Sequence, residues 1–153
     1  INILYLQYSV AQGATNARLN HRPGNGKTSA WSTFYHQEQG QWIQVDLGDI
    51  AKVTKIATQG WAELNEWVTE YKVSYSYDGG YFEFYKNGQY GSDKVFQGNK
   101  DRRSIDINIL DPPIYTRYIR VQPVSYHEWM SLRMELYGCR SGREMLPVNA
   151  SVI

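Results

Sequence analysis

The side chains that could act as an acid, base or nucleophile are few. The chain has three histidines and one cysteine, widely separated in sequence: His21, His36, His127 and Cys139. A carboxylate pair, Glu63 and Glu66, falls in a predicted loop without a neighbouring histidine, and neither a Gly-x-Ser-x-Gly motif nor a phosphate-binding loop is present. A single cysteine excludes an internal disulfide and a multi-thiolate metal site. The sequence therefore predicts a protein that is not an enzyme, and its function has to be sought in binding.

Aromatic residues are the side chains in excess, with 13 Tyr and 5 Trp among 153 residues. These side chains pack through their rings and hydrogen-bond at one end, which suits β-sheet cores and binding surfaces. The charge is nearly balanced, 16 Lys+Arg against 15 Asp+Glu, so net charge gives no reason to expect nucleic acid as a partner. No apolar run approaches the ~20 residues of a membrane-spanning helix, so the chain is not expected to be transmembrane.

The elements that must position these side chains are strands. Residues 42–47 and 67–75 alternate apolar and polar side chains, and residues 52–59 are rich in β-branched residues. Trp61, Leu64 and Tyr71 also recur at helical spacing, but β-branched and aromatic residues dominate the second half of that segment. We therefore predict a strand over 67–75 and a loop over 61–66.

Further short strands are predicted along the rest of the chain, with turn signals between them. They cover part of residues 1–20 and residues 81–86, 94–97, 104–109, 116–122 and 131–137. Gly48-Asp49 is expected to end a strand, Pro112-Pro113 to interrupt regular structure, and residues 31–40 to form a loop. This pattern predicts a single all-β domain, an antiparallel sandwich or jelly-roll barrel.

Several ordered segments resemble the discoidin family, also called coagulation factor V/VIII type C domains. They are ARLN at 17–20, AW at 30–31, QWIQVDLG at 41–48, TQG at 58–60, WVTEYKV at 67–73, SYDG at 76–79, VFQGN at 95–99, PPI at 112–114, RYIRV at 117–121 and SLRMELYGC at 131–139. The resemblance implies an eight-stranded antiparallel jelly-roll barrel over residues 1–139, followed by a tail or linker at 140–153. It also implies an extracellular, non-catalytic module that binds ligands through the loops at one end of the barrel.

The sequence departs from the family pattern in several places. The segment before Tyr8 carries Leu4-Tyr5-Leu6 in place of the family's usual small and hydroxylated run. The family usually joins a first cysteine to the one matched by Cys139, and that first cysteine is absent, so Cys139 is expected to be a buried thiol or to pair outside this chain. Family members bind peptides that end in a basic residue, and Tyr8 matches one wall of that pocket. Gln12 and His36 stand where a second aromatic residue and an acid would be, so that specificity is not predicted here.

The resemblance places the predicted binding residues in three loops, where they would form an aromatic and apolar patch. These residues are Phe34, Tyr35, Trp61, Leu64, Tyr126, His127 and Trp129. The alternative for each ring is that it folds back to cap the barrel. By contrast, Trp31, Trp42, Trp67, Phe82 and Tyr118 match the family motif on or beside strands and are expected in the core. Arg18, Arg117, Arg120 and Asp46 are expected to form ion pairs.

Two ligand hypotheses follow. In the first, the patch binds a cell-surface or matrix protein or glycan. In the second, Trp61 and Leu64 enter an anionic phosphatidylserine membrane while His21, Arg22 and Lys27 contact headgroups.

No cofactor or metal is required by the sequence, although related barrels can hold a structural calcium ion through loop carbonyls and carboxylates. Asn149-Ala150-Ser151 is a glycosylation sequon.

Overall fold

A computed structural model describes residues 16–22, 24, 28–33 and 40–140. These residues form seven strands: β1 (Trp31–Ser32), β2 (Ile43–Gln59), β3 (Trp67–Ser76), β4 (Glu83–Phe84), β5 (Val95–Gln97), β6 (Asp106–His127) and β7 (Ser131–Arg140). The prediction of an all-β, antiparallel fold is confirmed. The first predicted strand, near the start of the chain, and the tail after residue 140 lie outside the described residues.

The strands form one curled sheet in the order β1-β7-β2-β6-β3-β4, with β5 also paired to β3. All named strand pairs are antiparallel. The long strands β2 and β6 pair along most of their length and form the middle of the sheet. The concave side encloses a core in which the largest fully buried side chains include Trp31, Tyr71, Phe96, Leu47 and Ile119.

Two predicted strand ends are β-bulges inside longer strands. Gly48 adopts a positive φ of 79°, and the β2–β6 register shifts between Asp46 and Ala51, so β2 bends there and continues. The prediction that residues 42–47 and 52–59 are separate strands was wrong for this reason.

The Pro112-Pro113 pair has a similar effect on β6. Val53 lies opposite Ile114 and Lys55 lies opposite Ile109, so the residues between Ile109 and Ile114 form a bulge that contains both prolines and a cis Asp111-Pro112 bond. The prolines thus interrupt the ladder, as predicted, but a single strand runs from Asp106 to His127.

The region after β2 agrees with the sequence prediction. Residues 61–66 form a loop and β3 begins at Trp67, which excludes the helical alternative. The expected loop over 31–40 needs correction at its start, because Trp31 and Ser32 pair with Leu132 and Ser131 as β1.

Of the five aromatic side chains predicted to lie in the core, one is fully buried. Trp31 is buried as expected, whereas Trp42, Trp67, Phe82 and Tyr118 are only half-buried on the outer side of the sheet. Cys139 is also half-buried, which corrects the expected buried thiol.

The ion-pair predictions hold for three of the four residues. The Arg117 guanidinium donates two hydrogen bonds, of 2.8 and 2.9 Å, to the Asp46 carboxylate, and Arg18 pairs with Glu135 at 3.0 Å. Arg120 differs from the prediction. Its guanidinium lies between the rings of Trp42 and Phe82, 3.9 and 3.5 Å from the ring centroids, and donates to the Gln44 side-chain oxygen at 2.9 Å.

Candidate functional site

Five segments meet at one end of the barrel, which we call the loop end: residues 16–22, 28–33, 60–66, 99–105 and 127–130. Hydrogen bonds join them in pairs. The Ser29 hydroxyl donates to Glu63 at 2.6 Å and accepts from the Ala62 amide at 3.1 Å. The Thr33 amide donates to the Met130 carbonyl at 3.3 Å. The loops after Trp31, after Gly60 and between the last two strands therefore share an end over their described parts, which is the condition for the predicted patch.

Arg133 lies beneath these segments and holds three of them. Its guanidinium, on a residue only 3% exposed, donates to the carbonyls of Gly60 at 2.6 Å, Arg102 at 3.1 Å and His21 at 3.4 Å. Burial lowers the pKa of the guanidinium, and the charge of Glu63 acts in the opposite direction. Arg133 therefore fixes the positions of these three segments relative to one another, and the side chains at their tips have a defined arrangement.

Trp61 does not belong to the exposed patch. It is 5% exposed, its amide donates to the Glu66 carbonyl at 2.9 Å, and its buried indole Nε1 has no hydrogen-bond partner among the described residues. The ring therefore packs under the 61–66 loop, and the prediction that it is exposed in the loop patch was wrong. Trp61 instead follows the alternative stated for each loop ring, in which the ring folds back and caps the barrel.

The exposed part of the loop end is smaller and more polar than predicted. Leu64 is 45% exposed and Tyr126 is 36% exposed. The His127 ring stacks on the Trp67 ring with centroids 4.0 Å apart and 14° between the planes. The Asn65 amide Nδ2 lies 3.3 Å from His127 Nε2. An apolar side chain, a ring pair and an amide thus share one rim.

Trp129 connects two segments of the loop end. It is half-buried, and its indole N–H donates to the Thr33 carbonyl at 2.8 Å, which ties the 127–130 turn to the 28–33 segment. Part of the ring remains accessible, but the indole donor is already used within the protein.

Two residues of this rim were not predicted as site residues. Trp67 was expected in the core, and Asn65 was not considered. The register Trp67↔His127 puts the two rings on the same side of the sheet. Strand pairing is a long-range property, so a single sequence carried no direct signal for this neighbour.

Of the remaining predicted site residues, some are described and some are not. Arg22 is exposed, and His21 is half-buried beside Arg133. Phe34, Tyr35, Lys27 and Asn149, together with the peptide-pocket positions Tyr8, Gln12 and His36, lie outside the described residues.

The described residues contain no group of three or more His, Cys, Asp or Glu side chains arranged to hold a metal ion. The same described residues contain no helix that is long and apolar enough to cross a bilayer. The structural calcium ion that the family resemblance allows stays an expectation.

Comparisons with known proteins agree with this geometry. The F5/8 type C domain model matches residues 7–136. Retinoschisin of Mus musculus is 40% identical over 137 residues, covering 90% of this chain and 59% of that protein. Lactadherin of Mus musculus is 43% identical over 123 residues, covering 79% of this chain and 26% of that protein. The chain thus spans less than two thirds of these relatives.

Solved structures give the same result. Recombinant discoidin II of Dictyostelium discoideum superposes with a TM-score of 0.77 at 29% identity, covering 86% of this chain and 52% of that one. A family 32 carbohydrate-binding module from Clostridium perfringens shares the fold, with a TM-score of 0.61 at 17% identity. The chain belongs to the F5/8 type C (discoidin) family, and is a non-catalytic binding module.

Proposed function

We propose that this chain is an extracellular recognition module whose loop end binds a cell-surface or matrix ligand, and that the ligand is a glycan. The observation that supports this most is the rim formed by Leu64, Asn65 and the Trp67–His127 stack. These side chains come from the 61–66 loop and from the β3–β6 strand pair, whose mutual position is fixed by internal hydrogen bonds. Family membership supports the binding role and the extracellular setting.

The composition of the rim favours a glycan over a protein. Rings flanked by hydrogen-bonding groups suit sugars, which present apolar C–H faces and hydroxyls together, whereas protein interfaces need larger apolar areas. The burial of Trp61 and the partial burial of Trp129 reduce the apolar area at this end. Asn65, His127 and the exposed Glu128 add hydrogen-bonding groups around what remains.

Binding to a phosphatidylserine membrane is the second candidate. The exposed Leu64 and Arg22 favour it, because an apolar side chain could enter the interface while the cation contacts headgroups. Two observations weigh against it. Trp61 is buried, and the exposed carboxylates of Glu63 and Glu128 would be repelled by an anionic surface.

A glycan array probed with this chain tests the first proposal. We expect retention on a restricted set of glycans, and we expect Leu64→Ser with His127→Ala to weaken that retention by about tenfold or more, since ~1.4 kcal/mol corresponds to a factor of ten. Tyr81→Ser is the matched control, because Tyr81 is a highly exposed ring in the turn after β3, away from the loop end. Urea unfolding of each variant confirms that the fold is intact.

Sedimentation with vesicles that contain or lack phosphatidylserine runs in parallel. Binding to the anionic vesicles alone, weakened by salt and by Leu64→Ser, would favour the membrane over the glycan. Equal retention of wild type and the double variant on the array would show that the loop end is not the glycan site.

A further inference from the structure

A row of exposed aliphatic side chains that the core does not use begins one residue before β6 and continues along the outer face of that strand. Ile105, Ile107 and Ile109, which we call the isoleucine ridge, are 41%, 59% and 64% exposed. Asn108 and Leu110, which alternate with them, point inward. Asn108 donates to the Tyr71 hydroxyl at 3.0 Å and to the Gln97 carbonyl at 2.7 Å, and Leu110 is buried. The strand therefore alternates as expected, but its solvent side is apolar where polar residues are usual.

Strand register extends this surface across β2 and β7. Ile109 lies beside Lys55, which in turn lies beside Tyr137 on β7. Tyr115, which is exposed, lies beside Lys52, with the lysine Nζ 5.9 Å from the ring centroid. The ridge and its neighbours thus form a continuous outer face that contains isoleucine, tyrosine and lysine side chains.

The charges on this face are mainly positive. Lys55 is exposed and Lys52 half-exposed, and neither forms an ion pair with a described residue. Glu135, the acid in the adjacent row, is already paired with Arg18 at 3.0 Å. The exposed Asp111 lies beyond Ile109, in the proline bulge. A ligand that supplies carboxylates would therefore meet two lysines with no competing partner.

We propose that the isoleucine ridge, with Lys52 and Lys55, is a docking surface for a partner protein that presents apolar side chains flanked by carboxylates. The apolar row would supply burial, and the lysines would supply orientation and specificity. A second copy of this chain fits less well, because a two-fold contact over the ridge would bring the lysines of both copies into one interface. A lipid surface also fits less well, because side chains on a flat sheet face do not project into a bilayer as a loop tip does. This surface does not include the rim around Leu64, although Ile105 ends the 99–105 segment of the loop end.

Synthetic amphipathic helical peptides test the proposal directly. One peptide carries leucines on one face flanked by glutamates, and its counterpart has lysines in place of the glutamates. We expect fluorescence anisotropy to show that the acidic peptide binds at least about tenfold more tightly than the basic one. Ile107→Ser with Ile109→Ser should weaken the acidic peptide by about tenfold, since the apolar contact is lost.

Charge reversal gives a second readout. Lys55→Glu should weaken the acidic peptide and strengthen the basic one, which a mere change in stability would not do. Val124→Ser is the control, because Val124 is an exposed aliphatic residue on the same strand but outside the ridge. It should leave both affinities unchanged, as should Leu64→Ser at the loop end.

Three results would overturn the proposal. The first is an absence of binding by the acidic peptide, or equal binding of both peptides. The second is a concentration-dependent dimer in analytical ultracentrifugation that the two serine substitutions dissociate, which would assign the ridge to self-association. The third is flotation with phosphatidylserine vesicles that the same substitutions abolish, which would assign it to a lipid surface.

Discussion

Arg133 joins three segments of the loop end through one guanidinium, so its replacement should destabilise the protein. Arg133→Met keeps much of the aliphatic stem but leaves the carbonyls of Gly60, Arg102 and His21 without this donor. We expect the free energy of unfolding to fall by about 2–4 kcal/mol, since buried acceptors lose their partners. Urea unfolding measures this. Arg103→Met, at an exposed position, should change stability by less than about 0.5 kcal/mol. An equally small effect of Arg133→Met would mean that the loops are held by other contacts.

The two ion pairs are expected to respond to pH in opposite directions. The hydrogen bonds from Arg117 lower the pKa of Asp46 from its usual 3.8, so the ionised carboxylate stabilises the fold above that value and the stabilisation is lost as pH falls through the folded pKa. Burial raises the pKa of Glu135 from its usual 4.5 despite the opposing charge of Arg18. The protonated carboxyl of Glu135 therefore contributes stability that is fully present below pH 4.5, and this contribution is lost as pH rises through the folded pKa.

Unfolding free energies from about pH 3 to about pH 7 test this contrast. The stability advantage of wild type over Asp46→Asn should grow with pH. The advantage of wild type over Glu135→Gln should shrink with pH over its own range. Slopes of the same sign for both variants would contradict the assignment of hydrogen bonding as the dominant cause at Asp46 and of burial at Glu135.

At the residue level, the sequence could identify the loops but not the direction in which their rings point. Trp61 and Leu64 are three positions apart in one loop, yet the first is buried and the second is exposed. That outcome depends on Ser29 and Arg133, which reach the loop from distant parts of the chain. Arg120 failed the ion-pair prediction for a similar reason, because Trp42 and Phe82 flank it only after folding.

Gly60 controls the path of the 61–66 loop, which makes it the most direct test at the level of the element. A Cβ placed on Gly60 would lie 2.8 Å from each of the Arg102 Cα, the Glu66 carbonyl oxygen and the Trp67 Cβ. Gly60→Ala should therefore push three backbone segments apart and lower the free energy of unfolding by about 1–3 kcal/mol. Thermal or urea unfolding would show the change.

Gly24→Ala is the matched control, because a Cβ at that position meets no atom of the described residues within 4 Å. It should leave stability nearly unchanged. If both alanine variants were equally stable, the close packing of the loop against residues 102 and 66–67 would be disproved.

Predictions about elements succeeded where the local pattern decides the structure. The alternation over residues 67–75 predicted β3, which spans Trp67–Ser76. Strand ends were less accurate, because Gly48 and Pro112-Pro113 read as breaks, whereas the long β2–β6 pairing absorbs both as bulges. A strand that pairs with other strands on both sides can continue through a local turn signal. A single sequence does not show which strands those partners are.

Across the barrel as a whole, two exposed surfaces differ in chemistry. The loop end combines rings with amide and carboxylate groups, whereas the isoleucine ridge combines aliphatic side chains with lysines. Family resemblance predicted the first surface, because the family binds through its loops. It gave no indication of the second, which became visible only through strand register and exposure.

We expect ligand to contact the rim around Leu64 and the Trp67–His127 stack. Amide chemical-shift mapping by NMR, with the glycan best retained on the array titrated into the isotope-labelled chain, locates that contact residue by residue. We expect the largest shifts in residues 60–67 and 126–130, with small shifts in the turn at 77–81. If the largest shifts fell at residues 77–81 and 48–50 and the loop end were unchanged, ligand would bind the opposite end of the barrel and the proposed rim would be wrong.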